Sequence, residues 1–397
     1  MSQLSTFVGK LWRMYEKVES LEEPIGLYVN DDGDGLAAGY LISILLERLG
    51  KDYKIIVLDK AYPEIISKVP GRHGSAIFLD VGGPFFIYIP KHYRESVIVF
   101  DDHMGIANPP REMVYINPYK EGVAEDNSFS TSVMAYLVIE KVVEDPGRYV
   151  SAALLGLGES GSRPRGFINR LVAQGVDSRV VRREGRSIKI SLGGVYREYK
   201  SLFRDVTLAS MMGYYNDVGI DVIAAFRYGG LEEILSMVKR YSEERKHLFK
   251  EMFSLMDTGE MVLHKRHIQW VEDYKSLFEG VSTRIFDKFM STASRYGRYF
   301  DPNKYILGVT KRGRYVSGFG LLEEDWLSIP IRATRKVETL IGLGRMQPIN
   351  ALAEASAYRV MGLGYGYRTQ GSVVVTMDRF KEFLSFIDDL AGGEDVV

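Results

Sequence analysis

Short apolar runs and helix-like patterns alternate along the first half of the chain. Four runs are long enough for buried strands, and they cover residues 25–29, 53–58, 76–79 and 97–100. Apolar residues at helical spacing cover 36–49 and 130–144. Near-continuous apolar strands that alternate with helices are typical of a parallel sheet with helices on both faces. The pattern therefore predicts an α/β fold with a parallel sheet flanked by helices.

The second half of the chain predicts a further, smaller α/β unit. Residues 230–257 place apolar side chains close to helical spacing, which indicates one long connecting helix. The later pattern predicts strands at 260–270, 305–310 and 372–377 and a closing helix at 378–390. The predicted division is a first domain over 1–229 with an inserted subregion at 160–205, a connecting helix over 230–257, and a second domain over 258–397.

The amino-acid composition excludes several kinds of functional site and partner. The 397 residues carry 51 Lys+Arg and 52 Asp+Glu, so any nucleic-acid partner must be held by a local patch and not by global charge. The chain has no cysteine, which excludes disulfides, thiolate metal sites and thiol nucleophiles. We find no signal peptide and no apolar run that could cross a bilayer, so we expect a cytoplasmic protein without a membrane partner. The lack of cysteine and the charge-rich helices also suit a thermophile.

Polar residues directly follow three of the apolar runs. In parallel sheets, ligands bind beyond the carboxyl ends of the strands, so these residues are expected to converge. They are Asn30, Asp31, Asp32, Gly33, Asp34 and Gly35 after the first run, Asp80 after the third, and Asp101, Asp102 and His103 after the fourth, with Glu159 as a further candidate. Carboxylates with one imidazole suit Mg²⁺ or Mn²⁺, and a pair of such ions is a recurrent device for phosphoester hydrolysis.

The same residues have simpler interpretations. Asp and Asn at strand-to-helix turns are common helix N-caps, and a single histidine is more often structural than a metal ligand. Residues 33–38 also fit the G-x-G-x-x-A dinucleotide fingerprint. A pyrophosphate bound there would face Asp31, Asp32 and Asp34, which would repel it unless a cation intervened.

The order of several short motifs resembles a known family. The stretches VNDDGDGLAA, FLDVGG, VFDDHMG, INPYKEG and LLGLGES follow the order and spacing of the DHH phosphoesterase superfamily. Residues 212–226 resemble a GYY segment of the archaeal RecJ-like proteins, and 352–371 have the layout of the DHHA1 glycine motif. The superfamily includes RecJ exonucleases and the replication factor cell division control protein 45. The resemblance implies a DHH domain joined by a long helix to a smaller DHHA1-like domain.

The resemblance also implies which residues stand at the catalytic positions. These positions are Asn30, Asp32, Asp34, Asp80, Asp102, His103, Met104 and Glu159, with Gly362, Gly364, Gly366 and Gly371 in the substrate-binding glycine loop. Three histidines of the family pattern are replaced, by Asn30, Met104 and Gly366. Asparagine offers only a neutral amide oxygen, and Met104 cannot bind a hard cation. The resemblance implies a weak or absent residual Mn²⁺ or Mg²⁺ site, with ligands Asp32, Asp34, Asp80, Asp102 and His103.

A degenerate site on a complete scaffold predicts a protein that requires no cofactor and holds other proteins together. The resemblance to cell division control protein 45 implies a scaffold of the archaeal replicative helicase, with GINS and MCM as partners and single-stranded DNA nearby. The alternative is an active Mg²⁺- or Mn²⁺-dependent 5′–3′ exonuclease of the RecJ type that degrades single-stranded DNA. Small-molecule phosphoesterases form a third class.

Two further features leave alternatives open. A basic cluster could bind nucleic acid or an acidic partner, or could be a solvated hairpin face, and it consists of Arg179, Arg182, Arg183, Arg186 and Lys189. Several tyrosines could stack on unpaired bases or could pack a core or cleft, and they are Tyr214, Tyr215, Tyr365 and Tyr367 beside Arg368.

Overall fold

The predicted parallel sheet is present in the first half of the chain. The computed structural model describes residues 2–103, 108–124, 129–158, 164, 166–259 and 261–392. Five strands pair in parallel, in the spatial order β2-β1-β3-β4-β5. The strands are β1 Ile25–Asn30, β2 Tyr53–Leu58, β3 Ser75–Leu79, β4 Val97–Phe100 and β5 Val114–Ile116.

Helices cover both faces of this sheet, because the strands place apolar side chains on both faces. On one face, Leu27, Val29 and Phe100 join a core built with the helices of the first half. On the other face, Tyr28 and Phe78 pack with α4 and with residues from the second half. The helices of the first half are α1 Gln3–Trp12, α2 Met14–Glu19, α3 Gly33–Arg48, α4 Pro63–Lys68, α5 Thr131–Ile139, α6 Val150–Gly156 and α7 Ile168–Asp177.

A small antiparallel sheet lies within the subregion predicted as an insertion. It has three strands, β6 Val181–Glu184, β7 Ser187–Leu192 and β8 Val195–Glu198. Along β7, buried Ile188, Ile190 and Leu192 alternate with less buried residues, so one face packs on the core and the other faces outward.

The residues predicted as one connecting helix, 230–257, form two helices. After α8 Tyr199–Met212 and α9 Val218–Tyr228, the chain continues as α10 Leu231–Ser236 and α11 Val238–Met256. The Ser236 hydroxyl donates to the carbonyl of Glu233, and the amide of Met237 donates to the carbonyl of Ile234 instead. The serine hydroxyl thus takes the acceptor that a continuous α-helix would use, which gives a short break.

The second half contains a six-stranded mixed sheet. Its spatial order is β15-β16-β14-β11-β10-β9, and only β10 and β11 run parallel among the described pairs. The strands are β9 Val262–His264, β10 Ile268–Glu272, β11 Tyr305–Lys311, the small pair β12 Tyr315–Val316 and β13 Gly320–Leu321, then β14 Trp326–Arg332, β15 Leu363–Gly366 and β16 Gln370–Thr376. The helices are α12 Thr283–Ala293, α13 Arg335–Gly342, α14 Ile349–Arg359 and α15 Phe380–Ala391.

The two sheets share buried apolar contacts. Trp326 and Val374 of the second sheet pack in the same core cluster as Tyr28 and Phe78 of the first. Among the described residues, no helix combines the length and apolar character needed to cross a bilayer. The architecture is the predicted one, an α/β fold with a helix-flanked parallel sheet and a further mixed sheet.

Candidate functional site

Asn30 joins two acidic residues at the edge of the first sheet. It is the last residue of β1, and its side-chain amide donates to Asp32 and to Asp80, each at 3.0 Å. Asp80 follows β3, the neighbour of β1. All three side chains are buried. A neutral amide therefore holds together two carboxylates that would otherwise repel each other.

Arg284 adds a positive charge to this edge from the other half of the chain. It lies in the first turn of α12, and its guanidinium donates to the Asn30 oxygen at 2.5 Å, to Asp31 at 2.9 Å and to Asp32 at 2.8 Å. Burial alone would raise the pKa of Asp32, but Arg284 and the amide of Gly35 hold it below the usual value. Burial raises the pKa of Asp31 to about 6, against the opposing effect of Arg284.

Asp32 and Asp34 both accept backbone amides at helix N-termini. One oxygen of Asp32 accepts the amides of Asp34 and Gly35 at 3.1 Å, which makes Asp32 the N-cap of α3. The two oxygens of Asp34 accept the amides of Thr131 and Ser132 at 2.8 and 2.9 Å, at the start of α5. Burial raises the pKa of Asp34. The N-cap interpretation is therefore correct for Asp32, and the carboxylate of Asp34 is directed to α5.

The N-terminus of α3 does not offer the amides that the dinucleotide fingerprint requires. Asp32 takes the amides of Asp34 and Gly35, and the amide of Gly33 donates to the hydroxyl of Thr207 at 3.0 Å. Residues 33–46 are buried throughout. A pyrophosphate has no access to this turn, so the fingerprint interpretation is wrong.

Four residues form a second cluster beside Asp80. One ligand atom from each of them lies within 4.8 Å of the others, and the residues are Asp80, Asp101, Asp102 and His103. The Nδ1 atom of His103 lies 2.7 Å from Asp101, 3.7 Å from Asp80 and 3.9 Å from Asp102. Burial lowers the pKa of His103, but these three carboxylates outweigh it and hold the pKa well above the usual value. Burial, with Asp32 and Asp34 nearby, raises the pKa of Asp80 well above its usual range.

The two clusters differ in their fitness for a metal ion. Three carboxylates and an imidazole around Asp80 and His103 are suitable donors for one Mg²⁺ or Mn²⁺. At Asp32, one oxygen caps α3 and the other accepts from Asn30 and Arg284. Both oxygens of Asp34 accept backbone amides. The expected ligand set Asp32, Asp34, Asp80, Asp102 and His103 is thus divided, and its Asp32 part does not fit a second ion.

A further ionic network joins the two sheets behind this edge. Asp59 accepts the Thr283 hydroxyl at 2.6 Å and the guanidinium of fully buried Arg312 at 3.2 Å. Buried Lys60 pairs with Asp287 of α12 at 2.8 Å. Arg312 also donates to the hydroxyl of Tyr214 at 3.0 Å. The sequence analysis missed Asp59, Lys60, Asp287, Arg284 and Arg312. Asp59 and Lys60 directly follow the apolar run 53–58, so their position at the end of a strand was an available signal, whereas no motif marks the other three.

A cavity of about 220 Å³ opens between the two sheets at this site. Its polar lining combines both sheets and α12, and it includes Asn30, Asp80, His103, Arg284, Arg332, Tyr365, Gly366, Gln370, Gly371 and Ser372. Gly362 and Gly364 line a neighbouring, mostly apolar hollow instead. A Cβ atom at Gly364 would collide with the carbonyl oxygen of Ala353 in α14, so this glycine permits close helix–strand packing.

The remaining residues that the sequence analysis singled out do not lie together. Tyr214 is buried and donates to the carbonyl of Val57 at 3.0 Å, so it packs the core and does not stack on bases. Tyr365 and Tyr367 line the cavity. Met104 and Glu159 lie outside the described residues.

Comparison with known proteins gives a consistent picture of the fold. No family model matches the chain. An uncharacterized protein of Methanocaldococcus jannaschii is 22% identical over 438 aligned positions, which cover 95% of each chain. Among solved structures, RecJ of Thermus thermophilus in complex with Mn²⁺ superimposes with a TM-score of 0.59 and 13% identity over 98% of this chain. The chain spans 55% of the length of that RecJ.

A second solved structure matches end to end. CDC45 of Entamoeba histolytica has a TM-score of 0.54 and 9% identity, and the match covers 98% of this chain and 99% of CDC45. An exonuclease RecJ bound to manganese gives a TM-score of 0.53 at 15% identity, over 97% of this chain and 94% of RecJ. The resemblance suggested by the motifs is confirmed at the level of structure. The chain therefore has the RecJ-like DHH fold that RecJ and CDC45 share.

Proposed function

We propose that this chain is a catalytically degenerate RecJ-like scaffold that acts with GINS and MCM in an archaeal replicative helicase. The observation that carries the proposal is the position of Arg284. Its guanidinium occupies the acidic edge of the first sheet and is hydrogen-bonded to Asn30, Asp31 and Asp32. A fixed cation from the protein itself takes the place in which a two-metal phosphoesterase would need a metal ion.

The geometry explains why this arrangement opposes metal binding at Asp32. Arg284 and a divalent ion would compete for the same carboxylate oxygen and would repel each other. Removal of the guanidinium from the edge would break three hydrogen bonds that join α12 to the end of β1 and the turn after it. Asp31 would keep the Ser282 hydroxyl, and Asp32 would keep Asn30 and the amides of α3, but both buried carboxylates would lose their counter-ion, which is costly. The edge is therefore stable as a structural ion network.

A scaffold role is consistent with the extent of the fold. The match to Entamoeba histolytica CDC45 covers 98% of this chain and 99% of that protein. The two sheets are held together by the pairs Asp59–Arg312 and Lys60–Asp287 and by a shared apolar core. Such a body presents fixed surfaces to several partners, which is what a scaffold requires.

A Mn²⁺-dependent exonuclease is the second candidate, because Asp80, Asp101, Asp102 and His103 offer suitable donors for one ion. In that case the bound ion would polarise a phosphoester, and the chain's own residues would position the strand in the cavity. Arg284 and Arg332 of the cavity lining would then neutralise phosphate charge.

Purified partners test the proposal. We expect the chain to co-purify with recombinant GINS and MCM, and the complex to unwind a forked duplex faster than MCM alone. The variant Asp102→Ala should give the same association and unwinding, because the proposed role does not use the cluster around His103. Melting curves of both proteins verify that the variant is folded. Absence of association with GINS and with MCM would contradict the proposal, as would unwinding that depends on Asp102.

A further inference from the structure

The exposed part of the small sheet β6–β8 and its flanking turns carries an unusual concentration of positive charge. Residues 179–189 contain five basic residues and one acidic residue, although the whole chain has a formal net charge of −1. Arg179, Arg182, Arg183 and Arg186 are all exposed. Arg182 lies directly opposite Lys189 in the paired strands β6 and β7. Arg183 lies opposite buried Ile188, so Arg182 and Arg183 leave the strand on opposite faces. We call the exposed part of residues 179–200 the basic sheet surface.

Most of this charge is not neutralised locally. Lys189 forms an ion pair with Glu184 at 2.6 Å. The carboxylate of Glu198 accepts the amide of Ser201 at 2.7 Å and caps α8. Within the described ranges, Arg179, Arg182, Arg183 and Arg186 form no ion pair, and Arg183 donates to the side-chain oxygen of Asn169 at 3.5 Å. The surface therefore retains cations that are available to an external anion.

Two features of shape accompany the charge. Tyr196 of β8 is 37% exposed, and the guanidinium of Arg182 lies 4.9 Å from the centre of its ring. At the other end of β6, a cavity of about 330 Å³ is lined by three basic residues, Arg183, Arg186 and Lys200, and by one acidic residue, Glu198. An exposed aromatic ring and several cations on the same small sheet are the combination that proteins use to hold single strands, because rings stack on bases and cations follow the phosphates.

We propose that the basic sheet surface binds a single-stranded nucleic acid without sequence preference. Arg182, Arg183 and Arg186 contact the phosphates, and Tyr196 stacks on an unpaired base. This site lies on the antiparallel sheet of the insertion and not on the acidic edge of the first sheet, so the inference does not depend on the proposed scaffold function. It identifies single-stranded nucleic acid as the ligand, in preference to an acidic peptide, because a peptide would leave the exposed ring of Tyr196 without a role.

Fluorescence anisotropy with a dye-labelled oligothymidylate tests the proposal, with salt as the second variable. The charge-reversal variant combines Arg182→Glu, Arg183→Glu and Arg186→Glu. The matched control combines Lys239→Glu, Lys246→Glu and Lys250→Glu, three exposed residues of α11, so both variants change the net charge equally. Melting curves of both variants establish that they are folded.

The expected result is a loss of affinity of about tenfold or more in the variant of the basic sheet surface and less than about twofold in the control. The slope of log affinity against log salt should become shallower by about 2, since each lost phosphate contact contributes about 0.7 for single strands. Tyr196→Ala should weaken binding about fivefold or more and leave the salt slope unchanged, because stacking does not release counterions.

Three outcomes would overturn the proposal. If both charge variants lose affinity equally, binding depends on the net charge of the protein and not on the basic sheet surface. If the wild-type protein does not bind the oligothymidylate at low salt, single-stranded nucleic acid is not a ligand of this surface. Binding of labelled polyglutamate with no binding of the oligothymidylate would identify the surface as a site for acidic proteins.

Discussion

Replacement of Arg284 by alanine is the most informative perturbation of this molecule. Arg284 makes hydrogen bonds of 2.5 to 2.9 Å to Asn30, Asp31 and Asp32. Its side chain is 22% exposed, whereas those of Asp31 and Asp32 are at most 2% exposed. Removal of one partner from a buried ion pair costs about 3–5 kcal/mol, because the remaining charge is buried alone. Since the guanidinium is partly exposed and water can replace it, we expect about 3 kcal/mol.

The loss should depend on pH in a defined direction. The pKa of Asp31 is already raised to about 6 by burial, and removal of Arg284 takes away the largest effect that opposes this rise. Asp31 in the variant then binds a proton in the folded state that it releases on unfolding, so the stability of the variant should fall as pH rises. One proton corresponds to about 1.4 kcal/mol per pH unit. The difference from wild type should therefore be larger at about pH 8 than at about pH 5.5.

Chemical denaturation of both proteins at the two pH values measures this difference. Arg298→Ala is the control, because Arg298 forms an ion pair with Asp257 at 2.9 Å but is 67% exposed, and solvent-exposed pairs contribute little to stability. A loss in Arg284→Ala that matches this control, or one that does not change with pH, would refute the reasoning. The same denaturation measurement with added Mn²⁺ is a second test. Mn²⁺ should stabilise Arg284→Ala more than wild type, by about 2.7 kcal/mol at one hundred times its Kd.

Three further predictions concern stability. Asp34→Ala should lower the free energy of unfolding by about 1–2 kcal/mol in urea denaturation, because two buried amides at the start of α5 lose their acceptor, and calorimetric titration should show unchanged Mn²⁺ affinity. Burial raises the pKa of Glu64, but hydrogen bonds from Glu323, Lys68 and neighbouring groups hold it below its usual value of 4.5. Ionised Glu64 therefore stabilises the fold above about pH 4.5, and this stabilisation is lost as pH falls through the lowered pKa. Denaturation of Glu64→Gln should therefore show less loss of stability in acid than wild type. Gly364→Ala should cost about 1–3 kcal/mol of unfolding free energy, because its Cβ would collide with Ala353 in α14.

The sequence was sufficient for the parallel sheet and for the acids at its edge. Near-continuous apolar runs specify buried parallel strands, and the residues after them must meet at one edge. Asn30 and Asp80 are accordingly in direct contact. The helix break at Met237 could not be anticipated, because it depends on a side-chain hydrogen bond of Ser236 that competes with the backbone.

The cation at the site could not be found from the sequence. Arg284 is separated from Asp31 by 253 positions and reaches the edge only after the two sheets have packed. The roles of Asp32 and Asp34 were equally ambiguous, because a carboxylate at a strand-to-helix turn can cap a helix or bind a metal. Only the positions of the α5 amides and of Arg284 distinguish these roles.

Release of nucleotides from end-labelled single-stranded DNA, with Mg²⁺ and with Mn²⁺, tests the central claim most directly. The account predicts that purified wild-type protein releases no more label than the double variant Asp80→Asn/Asp102→Ala, because Arg284 and Asn30 occupy the acidic edge. Melting curves must first establish that the double variant is folded. Robust Mn²⁺-dependent release by wild type that the double variant abolishes would contradict the account and would favour the exonuclease.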